Sequence, residues 1–306
     1  MKTKSKLKIG ICFFGHLRTY EQCAPFLRRN LLDRYDCDLF MHTWTTFDNH
    51  TKSHHGYPKI NGFVKESEVV NAYGEFKELT IEEQKPLDLG IVKVKLHQNS
   101  KVHEHGIFGI GAQFHSIRES VRLCEEYALQ NGIKYDFILC VRPDIWLKKP
   151  LNIGDVLESL SEQDSTKGFY TIARDYARLM NGFEGLMAND ILFFGMPEVI
   201  SDILKNTTRH TDRFKPNTLT YQVPELELIK LVKERGWTPY RMDFHYGVDW
   251  EIRRRDTKRR RFIRVKISKN YIHVNLLQAC MRQLCRLRFA ILDWEFDCCV
   301  GTKNTA

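Results

Sequence analysis

The chain has 306 residues, 42% of them hydrophobic and 12% aromatic, which is enough to bury a full core as one large α/β domain or as one domain with a terminal extension. Its formal net charge of +9 is concentrated, because residues 251–269 carry ten Lys and Arg against two acidic residues. No apolar run reaches the length of about 18 residues that a membrane-spanning helix needs, and the nine cysteines show no CxxC and no Cys/His zinc spacing, so reduced thiols in a cytoplasmic protein are expected.

The basic start and short apolar run of residues 1–17 superficially resemble a secretory signal, but the run 9–14 is too short and no small-residue cleavage site follows it. Residues 6–14 read instead as a buried first strand, 15–19 as the turn after it and 20–32 as a helix, the opening of a nucleotide-binding α/β fold. A second short buried strand, 38–44, ends in His42, Thr43 and Trp44. Residues 47–58 read as an irregular loop, 66–73 as a helix, 91–96 as a strand of period two, and 97–111, rich in His and Gly, as a mobile connection. Helical spacing then runs over 112–131 and stops at Asn131-Gly132, a good C-cap. The remainder repeats the theme, with helices over 153–160, 198–205 and 224–235 and strands over 168–173, 190–194 and 237–241. This alternation predicts one parallel-dominated α/β domain over residues 1–250 and a basic extension over 251–306. Within the extension, apolar residues at helical spacing over 275–294, interleaved with arginines, describe a basic amphipathic helix that either packs on the core or rests on a membrane surface. The vicinal pair Cys298-Cys299 near the end reads as a reduced tail, with palmitoylation or redox activity as the alternative.

The strongest chemical signal is YDFILCVRPDIWLKKP, residues 135–150, where a buried apolar strand runs into Arg142-Pro143-Asp144. Proline lacks the N–H a ladder needs, so Asp144 is presented at the C-terminal lip of the strand, where open α/β sheets place their ligands. A nucleotide-diphosphate leaving group needs a divalent cation or paired cationic groups. Asp144 is a candidate ligand for Mn²⁺ or Mg²⁺, and Arg142 a clamp for phosphate or for Asp144 itself. The alternative is an Arg-Asp pair that only caps a strand. Gly15 and Arg18 in the first turn are candidates to approach a phosphate or a base, although the turn is neither a GxGxxG fingerprint nor a phosphate loop. Asp190 heads a strand and is a candidate base, and Glu225, which follows Pro224 at a helix start, is a second. Glu227 in the same helix start is explained by the helix dipole. His50, His54, His55, His103 and His105 invite a zinc reading, but HH and HxH without a spaced Cys or carboxylate partner do not make one.

The segments FFGHLRTYEQC, CDLFMHTW, AQFHSIRESVRLCEEY, YDFILCVRPDI and NDILFFG, in this order between about residues 8 and 240, resemble a family of bacterial surface-polysaccharide glycosyltransferases of capsule and lipopolysaccharide O-antigen synthesis. The resemblance implies a GT-A-like fold, in which a Rossmann-type half bearing the nucleotide is merged with an acceptor half. Carried over by position, it implies that Gly15, Arg18, His42, Thr43, Trp44, Gln113, Ser116, Arg142 and Asp144 lie at the nucleotide-sugar donor and that Asp190 lines the acceptor side. The family's Asp-x-Asp reads Arg142-Pro143-Asp144 here, which puts metal dependence in doubt. The implied reaction moves a sugar to a hydroxyl of a growing, lipid-linked glycan. The basic block would then rest on the anionic inner leaflet, making the protein cytoplasmic and peripheral. A rival reading is a phosphate-directed nucleic-acid-binding protein acting through residues 253–269. The absence of any nucleic-acid module before residue 240 and of interleaved aromatics in the block speaks against it.

Overall fold

A computed structural model of the chain describes residues 5–48, 60–85, 90–95, 102–158, 166–173, 190–207, 215–216, 219–220, 224–245, 247–253, 266–267 and 270–271. Its contacts divide the chain into Met1–Thr257 and Lys258–Ala306. The second unit is described only at the antiparallel strand pair Lys266–Ile267 and Asn270–Tyr271. The remainder of the expected basic block and the helix over 275–294 lie outside the described residues.

The strands of the first unit are β1 (Ser5–Phe14), β2 (Tyr35–Trp44), β3 (Glu78–Glu82), β4 (Ile91–Lys95), β5 (Val102–Gly106), β6 (Phe137–Val141), β7 (Ile145–Leu147), β8 (Gly168–Ala173), β9 (Leu192–Gly195), β10 (Leu219–Thr220), β11 (Thr238–His245) and β12 (Trp250–Ile252). The helices are α1 (Tyr20–Asn30), α2 (Glu66–Tyr73), α3 (Ile107–Asn131), α4 (Ile153–Glu158), α5 (Pro197–Lys205) and α6 (Pro224–Glu234). Seven strands form the main sheet in the order β11-β8-β9-β6-β1-β2-β3. All neighbouring pairs are parallel except those of β9, which runs against both β6 and β8. The protein is therefore an α/β fold with a mostly parallel mixed sheet, and the parallel pairing follows from the helical crossovers between successive strands.

Period two along β1 sends its side chains to two cores. Ile9, Ile11 and Phe13 pack with α1 and α2, whereas Cys12 and Phe14 pack with α3, α5 and α6. Helices thus cover both faces, and the central strands β1, β2 and β6 are apolar on both sides. The chain leaves β1 toward β2 and β3, then returns through α3 to β6 on the other side of β1. The order reverses at β1 and β6, and their C-terminal ends open a crevice there.

Several boundaries differ from those read off the sequence. Helix α3 begins at Ile107 rather than 112, and the segment expected to be a mobile connection includes β5, paired antiparallel with β4. Glycines at 106, 109 and 111 suggested a break, but Ile107, Ile110 and Phe114 already recur at helical spacing and are buried. Strand β3 was not anticipated, because its sequence ELTIE is an edge strand with charged ends. β7 was missed because it follows Pro143 and pairs only with the distant β12. The expected C-cap of α3 is present, with Gly132 in the left-handed region at φ +61°. Among the described residues, no helix is long and apolar enough to cross a membrane.

Gly10 marks a close approach of α3 to β1, since a Cβ there would meet Cys124 Sγ at 2.5 Å. Gly10→Val is expected to cost about 1–3 kcal/mol through overpacking. A lower denaturant midpoint with an unchanged m-value would report it.

Candidate functional site

The site is built where β1, β2 and β6 end on the same edge of the sheet. After Phe14 the chain turns at Gly15, whose φ of +85° lies in the left-handed region open to glycine. Both backbone groups of Gly15 are held by buried side chains. Its N–H donates to Ser116 Oγ of α3 at 2.7 Å, and its carbonyl accepts from Thr43 Oγ1 of β2 at 2.9 Å. Three residues on, Arg18 also takes a positive φ of +46°, a costly conformation for a side-chain-bearing residue. It is secured at both ends: its N–H donates to the Phe47 carbonyl at 2.9 Å, and its guanidinium reaches Asp48 and Asp144.

Asp144 is the electrostatic centre of the site. Its side chain is fully buried. Arg142 grips it from two residues upstream, with Nε donating to Oδ1 at 2.9 Å and Nη2 to Oδ2 at 2.6 Å. Arg18 Nη1 donates to Oδ2 at 3.2 Å. A buried carboxylate is tolerated only when its charge is compensated and its lone pairs are bonded, and here two guanidiniums from different strand ends do both. Burial alone would lower the pKa of Arg18, but Asp144 and Asp48 outweigh it and raise the pKa, so the cation is held firmly.

In front of these arginines lies a small cleft of about 70 Å³, open to solvent. Gly15, Arg18, Trp44, Gln113 and Arg142, all expected at a donor, line it. His42, Thr43, Ser116 and Asp144 do not. They stand behind the lining and support it: Thr43 and Ser116 fix the Gly15 turn, and Asp144 aims the arginines. His42 is buried with both ring nitrogens engaged, Nδ1 with Ser116 Oγ at 2.9 Å and Nε2 with Glu82 Oε2 at 2.9 Å. Burial, the largest influence, lowers its pKa despite the hydrogen bond to Glu82.

A divalent cation at Asp144 does not fit this arrangement. The carboxylate is fully buried, both oxygens are spent on guanidiniums, and two fixed positive charges stand where the ion would sit. The expected Mn²⁺ or Mg²⁺ ligand is instead the anchor of an arginine pair, because Arg142 and Arg18 take both of its oxygens.

Asp190 lies beside the same strand end, since the N–H of Arg142 donates to the Ile191 carbonyl at 2.9 Å. Gln113 Nε2 donates to Asp190 Oδ2 at 2.8 Å, tying the carboxylate to a residue of the cleft lining. Glu225 opens α6, and its side chain lies outside the described residues, as do those of His50, His54, His55, His103 and His105.

Two polar residues of the lining, His16 and Gln84, were not singled out from the sequence. His16 is buried, and its Nδ1 donates to the Thr46 carbonyl at 3.1 Å, which leaves Nε2 as a lone-pair acceptor. That Nε2 and Gln84 Oε1 are buried with no hydrogen-bond partner among the described residues. Buried acceptors are costly unless satisfied, so both point to a ligand carrying donors. His16 sits within the GHLRT turn, which was the available signal; Gln84 follows the unanticipated edge strand and had none.

A scan against protein-family models returns no match, and neither does a search of curated proteins. The geometry of the cleft therefore carries the functional reading.

Two outcomes follow. Asp144→Ala leaves the Arg142 guanidinium without its carboxylate and Arg18 with Asp48 alone, and should destabilise the fold by about 3–5 kcal/mol in urea unfolding. Burial, with Arg18 adding to it, holds the pKa of His16 down at about 4 against an ordinary 6.5. Between these values the native state binds fewer protons than the unfolded chain. The His16 contribution to stability is therefore fully present above the upper value and is lost as pH falls through the lower one. His16→Gln should flatten that part of the stability profile, as measured by urea midpoints across the acid range.

Proposed function

We propose that the protein is a glycosyltransferase with a GT-A-like fold, moving a sugar from a nucleotide-sugar donor to a hydroxyl of a glycan acceptor in capsule or lipopolysaccharide synthesis. The observation that carries this reading is the cleft itself. It lies at the switch point between β1 and β6, where open α/β sheets bind nucleotides, and it combines two anchored guanidiniums, an indole and two unsatisfied acceptors.

Each of these groups answers a part of such a donor. A guanidinium has five N–H donors. The contacts to Asp48 and Asp144 use two of Arg18, and those to Asp144 use two of Arg142, so further donors are available to phosphate oxygens. The charges of Arg18, Arg142, Asp48 and Asp144 cancel. What the cluster offers a diphosphate is a set of donors in fixed orientation, which stabilises charge developing on the leaving group without reorganisation. Trp44 provides a face for a base, and His16 Nε2 and Gln84 Oε1 accept from base N–H or sugar hydroxyl groups. Asp190, oriented by Gln113, is the base that takes the acceptor proton in an inverting transfer, with Glu225 the second candidate. No step requires a cation at Asp144.

The acceptor in this reading is a lipid-linked glycan presented at the inner leaflet. The basic residues 253–269 supply the attraction to anionic lipid, placing the protein on the cytoplasmic face of the membrane.

The test is a thermal-shift panel of nucleotide diphosphate sugars in chelator. At a ligand concentration of about one hundred times Kd, native-state binding stabilises by about 2.7 kcal/mol. At least one nucleotide sugar should therefore raise Tm, and Arg142→Lys, which keeps a cation beside Asp144 but removes the fork, should abolish the rise. A panel in which no nucleotide sugar shifts Tm while RNA does would replace this reading with the nucleic-acid one.

A further inference from the structure

Three metal-binding atoms converge beside the cleft, from three separate elements. Nε2 of His42 on β2, Oε2 of Glu82 at the end of β3 and Nε2 of His115 on α3 all lie within 4.8 Å of one another. Glu82 Oε2 is 2.9 Å from the His42 nitrogen and 3.0 Å from that of His115. Register explains part of the convergence, since Trp44 pairs with Glu82 and His42 sits two residues back on the same face of β2. The indole of Trp44 completes the setting, stacked on His115 at 5.7 Å and edge-on to His42 at 5.1 Å between centroids.

The contacts of His42 suit a ligand role. Ser116 Oγ accepts from the Gly15 N–H at 2.7 Å and stands 3.0 Å from the His42 carbonyl and 2.9 Å from His42 Nδ1, so the ring nitrogen turned away from the cluster has a fixed polar partner. The other ring nitrogen, Nε2, and Nε2 of His115 both stand at hydrogen-bond distance from Glu82 Oε2, and a metal ion can take the place of the proton in each contact. This is also the arrangement in which metal-bound imidazoles are found, with the second ring nitrogen donating to a fixed partner that sets the tautomer.

We propose that His42, Glu82 and His115 bind one Zn²⁺ ion, at a site separate from the arginine pair. Two imidazole nitrogens and one carboxylate oxygen suit zinc, whereas magnesium and calcium take oxygen ligands. With zinc bonds of about 2.0–2.2 Å, tetrahedral ligand atoms stand about 3.3–3.5 Å apart. A small outward rotation of Glu82 and His115, whose side chains are 45% and 35% exposed, makes that room. The same exposure leaves the fourth position to water. The ion ties edge strand β3 to β2 and α3 through side chains, and through Ser116 it connects to the Gly15 turn of the cleft.

The full-length protein, stripped with chelator and re-equilibrated with Zn²⁺, should retain metal at this site after gel filtration, and His115→Ala and Glu82→Gln should each retain one equivalent fewer by elemental analysis. Co²⁺ in place of zinc should give the visible bands of a tetrahedral ion, absent in both variants. Ser116→Ala, which removes the partner of Nδ1 but no ligand, should weaken Zn²⁺ binding by about 10- to 100-fold. The metal-free forms of His115→Ala and Glu82→Gln should melt like the metal-free parent, so that misfolding is separated from loss of the site. Equal zinc content in the parent and both variants, or a parent that retains no zinc, would overturn the proposal. Replacing His54 and His55 together tests whether retained zinc belongs to the histidine-rich segment: unchanged retention supports the triad, and loss of all retained zinc refutes it.

Discussion

Charge compensation at Asp144 is the constraint on which the rest of the site depends. A carboxylate with no exposed surface sits between the ends of β1 and β6, and the guanidiniums of Arg142 and Arg18 compensate its charge there. Because the two arginines come from different strand ends, the ion cluster also joins those ends and sets the width of the crevice between them. Pro143 serves the same arrangement: it ends the ladder of β6, and its carbonyl accepts from the hydroxyl of buried Tyr73 at 3.0 Å. The chain then returns over the cluster through β12, where the N–H of Arg253 donates to the Asp144 carbonyl at 3.1 Å and its guanidinium lies 3.3 Å from the centre of the Trp146 ring.

A second network, buried except at Glu82, holds the first. Ser116 accepts from Gly15 and bonds to His42, Thr43 bonds to Gly15, and His42 reaches Glu82. Helix α3 is thereby connected by polar contacts to both β2 and the β1 turn, in addition to its apolar packing against Cys12, Phe14 and Phe40. Polar groups this deep are retained only when every partner is supplied, and in return they fix orientation. The left-handed conformations at Gly15 and Arg18 persist for that reason. The two networks divide the labour: one aims cationic donors into the cleft, and the other keeps the backbone beneath them in place.

The sequence was a good guide where burial imposed a simple pattern. Strands β1, β2 and β6 are continuous apolar runs, and the stop at Pro143 and the cap at Gly132 are chemistry that a chain displays openly. It was a poor guide at edges. β3 and β5 carry charged or histidine-rich residues because one side of each is less covered, so their pattern resembles a loop. The residues expected at a donor separated in the same way. Gly15, Arg18, Trp44 and Arg142, read from strand ends, and Gln113, placed by the resemblance alone, do line the cleft, whereas His42, Thr43, Ser116 and Asp144 shared the same motifs yet face inward. One residue of register turns a side chain from cleft to core, and a motif does not record that difference.

What the amino-acid sequence determined by itself is the class of fold and the strand ends at which the cleft opens, since apolar periodicity and strand-stopping residues act locally and are written in consecutive positions. What only the tertiary structure decided is the role of each polar side chain there. Asp144 became an anchor for arginines because Arg18, far away in the chain, arrives at 3.2 Å. Glu82 and His115 meet His42 because α3 lies across β2 and β3. Electrostatic roles depend on distance in space and on exclusion of water, and neither is a property of neighbouring residues in a chain.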